Sequence, residues 1–154
     1  MKIGIIGGGK VGCCLAEYLQ NHLVGITAST STKNQELADR FHTSYTATLE
    51  VIEQAEVIFL TLPDRKIMTL ANEIASATKV AGKIFLHCSG SLGLEPLQAL
   101  HEQGAHCGSM HPLQSFAGGA TKLQGVYMAV DGDAIAKAKA KETRCLYPLE
   151  SSES

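Results

Sequence analysis

Gly7-Gly-Gly-Lys-Val-Gly12 is the first run in this chain whose residue types and spacing point to chemistry. Gly7, Gly9 and Gly12 follow the order G-x-G-x-x-G, directly after the apolar residues 1–6 and directly before an amphipathic stretch. A loop of this kind uses its first glycine for a tight turn and its second to let the backbone approach a pyrophosphate. Its third lets helix and strand pack closely. The helix opening behind the loop offers unpaired N–H groups and a partial positive charge to phosphates. Gly7, Gly9, Lys10, Val11 and Gly12 are therefore the expected pyrophosphate cradle. A plain glycine-rich turn is the alternative, and the position between a strand and a helix argues against it.

The next informative segment lies about twenty residues on, where an acidic side chain would accept from the ribose hydroxyls of NAD. It reads Ser29-Thr-Ser-Thr-Lys33 and holds no carboxylate. Hydroxyls and a cation suit a 2′-phosphate, because they donate to an anion without repelling it. Ser29, Thr30, Ser31 and Lys33 are expected around the 2′-phosphate of NADP, with NAD the less favoured cofactor. The structural alternative is a capping box made by Thr32 and Gln35 at the start of the following helix.

Three further polar clusters follow apolar runs, where an open parallel sheet places its ligands. In Leu62-Pro63-Asp64, Leu62 and Pro63 are expected along the nicotinamide half of the cofactor. Asp64 belongs either to that side or to the N-cap of the next helix. Ser89 in His87-Cys-Ser-Gly90 and His111 in Ser109-Met-His-Pro-Leu-Gln-Ser-Phe116 are expected to face one crevice. There His111 would polarise a carbonyl or accept a proton from an alcohol, with the Ser89 hydroxyl fixing orientation. His87 is a third catalytic candidate, against the simpler role of a satisfied core histidine. Strand neighbours point to opposite faces, so His87/Cys88 and His106/Cys107 cannot each supply both side chains to a metal, and no metal is expected.

These residues need a scaffold, and the apolar pattern supplies one. The continuous apolar run at 57–62 reads as a strand covered on both faces, the largely apolar runs at 1–6, 23–28 and 83–88 read as strands, and further strands are expected at 106–110 and 126–130. Val11, Cys14, Leu15, Tyr18 and Leu19 form a helical stripe, as do Ile67, Leu70, Ala71 and Ile74. A helix runs through Leu37, Ala38 and Phe41, a weak strand lies near Ser44–Tyr45, and helices are expected at 49–54 and around Leu94, Leu97 and Leu100. Alternating strands and helices predict an α/β class, a doubly wound parallel sheet in three layers. The Ala- and Lys-rich residues 133–141 favour helix, but Ile135 is their only large apolar side chain, and residues 143–154 lose periodicity.

The chain's 154 residues correspond to about one domain. With 13 Lys and Arg against 15 Asp and Glu, the net charge of −2 excludes a surface that binds nucleic acid by neutralising phosphates. Hydrophobic content of 45% with 18% charged residues excludes a disordered chain. No apolar run reaches the ~18 residues of a membrane span, so no membrane partner is expected. Five cysteines, two of them adjacent, form no even framework, which predicts reduced thiols and a cytoplasmic location.

The glycine loop, Leu62-Pro63-Asp64, His87-Cys-Ser-Gly90 and Gly108-Ser-Met-His-Pro-Leu-Gln-Ser-Phe116 together resemble a family of Rossmann-like NADP oxidoreductases. Members of that family carry a helical domain of unknown function after the nucleotide-binding domain. More distantly the chain is similar to pyrroline-5-carboxylate reductase, 6-phosphogluconate dehydrogenase and prephenate dehydrogenase. In the last, a serine after one strand and a His-Pro motif after the next serve the active site, which implies matching roles for Ser89 and His111. The resemblance covers about residues 1–140 and breaks after Lys141 or Glu142. It sets a Rossmann domain at 1–142 and an irregular tail at 143–154, with the family's helical substrate and dimerisation domain absent. The implied activity is hydride transfer to or from a small carbonyl, imine or hydroxyl substrate, by a homodimer in the full-length form. The alternative is a module that binds NADP(H) without turnover, and a deazaflavin is a weaker cofactor alternative.

Overall fold

The structure, a computed structural model, describes residues 1–112 and 128–144. Five strands run parallel: β1 (Ile3–Ile6), β2 (Leu23–Thr27), β3 (Val57–Leu60), β4 (Ile84–His87) and β5 (His106–Pro112). A sixth, β6 (Met128–Gly132), pairs antiparallel with β5, so the sheet has the order β2-β1-β3-β4-β5-β6. The expected doubly wound parallel sheet is present in β1–β5, and β6 adds an antiparallel strand at its edge. A hydrophobic run gives a strand its existence but not its direction, and an antiparallel edge strand is common on such sheets. The predicted strand at 126–130 shifts to 128–132; residues 126 and 127, like Leu113-Gln-Ser-Phe116, lie outside the described residues. The weak strand near Tyr45 is a single parallel bridge to Gly25.

Six helices complete the described fold: α1 (Lys10–Tyr18), α2 (Ser31–Phe41), α3 (Thr48–Gln54), α4 (Asp64–Ala77), the short α5 (Gln98–Glu102) and α6 (Ala134–Arg144). They cover both faces of the sheet, which accounts for the unbroken apolar runs. Ile3, Ile5, Val57, Phe59 and Leu86 pack under α1, α2 and α6. Ile58, Leu60 and Phe85 pack under α3, α4 and α5. Alternate residues of one strand thus enter two cores, as the period of two requires.

Two local expectations change. Thr30, not Thr32, caps α2: the helix begins at Ser31, and the Thr30 hydroxyl accepts from Lys33 N–H at 3.2 Å. Helix α6 extends beyond the helical stretch expected at 133–141, to Arg144, and it packs through small residues rather than bulky ones. Ala136, Ala140 and Thr143 are fully buried while Ile135 is half exposed. The Tyr18 hydroxyl donates to the Arg144 carbonyl, which fastens the end of α6 to α1. At its other end Asp133 accepts from Ala136 N–H at 2.8 Å and from Cys107 N–H at 3.3 Å, with His106 Nδ1 3.4 Å away. Partial burial alone would raise the Asp133 carboxyl, but these amides and the imidazole outweigh it and hold it below its ordinary value.

Candidate functional site

Strand order reverses around β1, because the chain steps from β1 to β2 on one side and then crosses back to β3 on the other. Loops leaving β1 and β3 diverge there, and the crevice outside their carboxyl ends is where doubly wound sheets hold ligands. The glycine loop leaves β1 at this point. Gly7 has φ +128°, a conformation that L side chains rarely adopt, and its amide donates to Thr27 O at 2.7 Å. At Gly12 a Cβ would stand 2.0 Å from the Gly7 carbonyl oxygen, so only glycine lets α1 start this close to the turn.

Gly9 differs from both. Its φ of −80° is ordinary and a Cβ there would meet nothing within 4 Å. It is the N-cap of α1 yet has no side chain to cap with, and the first turn carries no acidic residue. The start of α1 thus has open space at Gly9 and no carboxylate in its first turn, which suits a phosphate.

An open groove of about 530 Å³ runs along this loop. It joins Gly7, Gly9, Lys10 and Val11 to Ser29 and Lys33 on one side and to Leu62 and Pro63 on the other. Eight of the sequence candidates therefore share one groove. Gly12 supports it from behind, and Thr30 and Ser31 stand at the exposed start of α2 beside Ser29. Thr61 and Lys66 also line the groove and were not foreseen; no carboxylate occurs among its described lining residues, against three lysines. Asn34 was missed as well. Its side-chain oxygen accepts from Ala28 N–H at 2.5 Å and its amide donates to Thr46 O at 2.9 Å, which holds the turn that carries Ser29.

Asp64 is not the N-cap of α4, which is Pro63, and it opens the helix one position beyond the described groove lining. Its carboxylate accepts from the Ser91 hydroxyl at 2.7 Å, tying α4 to the loop after β4. In that loop the Ser89 oxygen accepts from the amides of Ser91 and Leu92, both at 3.2 Å. Two lone pairs are then engaged, so Ser89 is left with one hydrogen to donate, either to Ser91 Oγ at 3.3 Å or into the crevice.

The two histidines separate sharply. His87 is fully buried, with Nδ1 accepting from Ser89 N–H at 3.1 Å and Nε2 donating to Gly93 O at 2.7 Å. Both nitrogens are engaged with backbone, so His87 shapes the Ser89 loop and has no ring atom left for a substrate. In His111, Nδ1 donates to Cys88 O at 3.2 Å, because a carbonyl can only accept. The neutral ring then keeps a lone pair at Nε2, and that edge lies directly over Gly90, where a Cβ would come within 2.4 Å. Gly90 thus leaves room for the ring beside Ser89.

Burial pushes the Cys88 thiol up to about 12, and burial with the nearby Asp133 carboxylate does the same for Cys107. Neither is a thiolate nucleophile at neutral pH. Among the described residues no three His, Cys, Asp or Glu side chains converge as a metal set, and no helix is long and apolar enough to cross a membrane.

Solved structures share this architecture. A Bacteroides fragilis protein assigned by inference as an NADP oxidoreductase matches with TM-score 0.76 at 20% identity, over 95% of this chain and 57% of its own. An imine reductase of Bacillus cereus matches with TM-score 0.73 at 19% identity, over 95% of this chain and 52% of its own. A reductive aminase of Aspergillus terreus, in complex with NADPH and ethyl-5-oxohexanoate, matches with TM-score 0.72 at 19% identity, over 95% and 52%. The chain therefore spans little more than half the length of these three structures. No match was found among curated proteins. The model of the Rossmann-like domain family matches residues 1–112, nearly three quarters of the chain and the whole of the β1–β5 unit. The glycine loop, the parallel order around β1 and this match agree: the chain belongs to the Rossmann-like domain family.

Proposed function

We propose that the chain is the NADP(H)-binding domain of an oxidoreductase acting on a small carbonyl, imine or hydroxyl substrate. The observation that carries this reading is the single groove joining the uncapped start of α1 to Ser29 and Lys33, with three lysines and no described carboxylate along it. NADPH bound in the solved structure of the reductive aminase, a protein of the same fold, supports it.

The pyrophosphate lies against Gly9 and the amides of Lys10 and Val11. Lys33, with the hydroxyls of Ser29, Thr30 and Ser31, holds the 2′-phosphate. Thr30 can serve both purposes, since its oxygen caps α2 while its hydrogen remains available. Leu62 and Pro63 give the nicotinamide half an apolar wall. When bound, the cofactor supplies or takes the hydride.

The protein's own part is position and proton. Ser89 donates a hydrogen bond to an acceptor on the substrate, and its loop is held by His87 and by the Ser91–Asp64 bond. His111 Nε2 accepts the proton of a hydroxyl substrate, and in the opposite direction the protonated ring returns it.

His111→Asn tests this division of roles. Turnover of NADPH with a panel of cyclic imines and small ketones is expected to fall by about 10²–10⁴-fold. NADPH affinity is expected to stay within twofold of the parent, because His111 lies outside the groove lining. Unchanged turnover would remove His111 from the proton path. NADPH binding without turnover of any panel member would instead assign a non-catalytic nucleotide-binding module.

A further inference from the structure

Thr61 is the one hydroxyl residue in the apolar run 57–62, and it stands one position beyond the end of β3. Its backbone amide continues the sheet ladder by donating to Ile6 O at 2.9 Å. Its hydroxyl then turns across the strand end and donates to Gly7 O at 2.9 Å, with Ile6 O a longer alternative at 3.3 Å. The same oxygen atom would stand 2.5 Å from a Cβ on Gly7 and 2.8 Å from a Cβ on Gly12. First and third glycines of the loop thus close around one side-chain oxygen supplied by a different strand. The hydroxyl is partly buried, so water replaces the lost bond poorly when it is removed.

We propose that Thr61 is a positioning residue for nucleotide binding: its hydroxyl fixes the Gly7 peptide, and through it the start of α1, in the geometry that receives a pyrophosphate. The proposal rests on the dinucleotide reading of the groove and adds to it a residue that the glycine motif does not contain. Gly7 has no side chain with which to restrain its own peptide. Thr61 supplies a restraint from β3, the neighbouring strand across the switch point. Because the pyrophosphate is common to both nicotinamide dinucleotides, Thr61 must support NADPH and NADH alike. That separates it from Lys33 and from the Ser29 turn, which distinguish the two.

The test compares the parent chain with Thr61→Val, which keeps the shape and deletes the hydroxyl, and Thr61→Ser, which keeps the hydroxyl and deletes the methyl. NADPH and NADH are titrated into each by nucleotide fluorescence, and thermal unfolding is followed in parallel. Thr61→Val is expected to weaken both nucleotides by the same factor, about three- to tenfold for one net hydrogen bond. Thr61→Ser is expected to bind both within twofold of the parent. If Thr61→Val does not fold, Thr61→Ala against Thr61→Ser carries the same comparison.

Parent-like binding by Thr61→Val would overturn the proposal. So would failure of Thr61→Ser to restore affinity, since the methyl would then be what matters, or a loss confined to NADPH. If the parent binds neither nucleotide, the dinucleotide reading falls and this proposal falls with it. Parent binding with an indifferent Thr61→Val rejects the proposal alone.

Discussion

Gly12→Ala is expected to abolish nucleotide binding, with a loss of about a hundredfold or more, and to destabilise the fold by about 2–3 kcal/mol. The added Cβ would lie 2.0 Å from the Gly7 carbonyl oxygen and 2.8 Å from Thr61 Oγ1. The first obstacle is backbone, so no side-chain rotation relieves it. Either α1 retreats from the turn or the turn deforms, and both displace the N–H groups offered to a phosphate. Gly9→Ala makes the informative contrast. Its φ is ordinary and no protein atom lies within 4 Å of the new Cβ, so the fold should melt at the parent temperature. Its methyl occupies the space assigned to the pyrophosphate, and binding should still fall by about tenfold or more. Thermal unfolding and nucleotide titration of the two variants separate a scaffold glycine from a ligand-facing one. Equal melting losses would contradict the assignment of Gly9 to the ligand.

Lys33→Glu is expected to remove most of the discrimination between NADPH and NADH. The parent offers Lys33 at the lip of the groove, with only a loose 3.9 Å approach to Glu36. Reversing its charge replaces attraction to a 2′-phosphate by repulsion. At an exposed position this corresponds to about a thirtyfold loss for NADPH at low salt, shrinking as salt screens it. NADH lacks that phosphate and should weaken by no more than about threefold, through the remaining charges of the dinucleotide. A matching loss for both nucleotides would move Lys33 away from the ribose end.

The legible parts of this fold are those in which one residue type has one physical use. A strand covered on both faces is mostly apolar, and the runs at 57–62 and 83–88 mark β3 and β4 within two residues. Glycine at a backbone contact has no substitute, so Gly7 and Gly12 could be placed from spacing alone. Harder features are those where one residue type serves several ends. His87 and His111 look alike in the sequence, each near a strand end. Only their partners show that one is saturated by backbone, while the other has a hydrogen-bond partner at one ring nitrogen alone among the described residues.

Thr61 reads as a strand residue because nothing local shows that its hydroxyl crosses to β1. The α2 cap moved two positions because Ser29, Thr30, Ser31 and Thr32 are all good caps, and only the exit of β2 selects among them. Helix α6 is hard to read from the sequence because its buried face is built of alanines rather than large apolar residues. The direction of β6 is not encoded in any local period, because an apolar run marks a strand without giving its direction.

The central claim is that one groove, built on the start of α1 and the Ser29–Lys33 segment at the start of α2, takes a dinucleotide with a 2′-phosphate. Titration of the parent chain with NADPH and with NADH, in the same buffer at low salt, tests it most directly. Saturable binding of both is expected, with NADPH tighter by about tenfold or more for the added charge-assisted contacts. Equal affinities would contradict the 2′-phosphate assignment, and no binding of either would contradict the account as a whole.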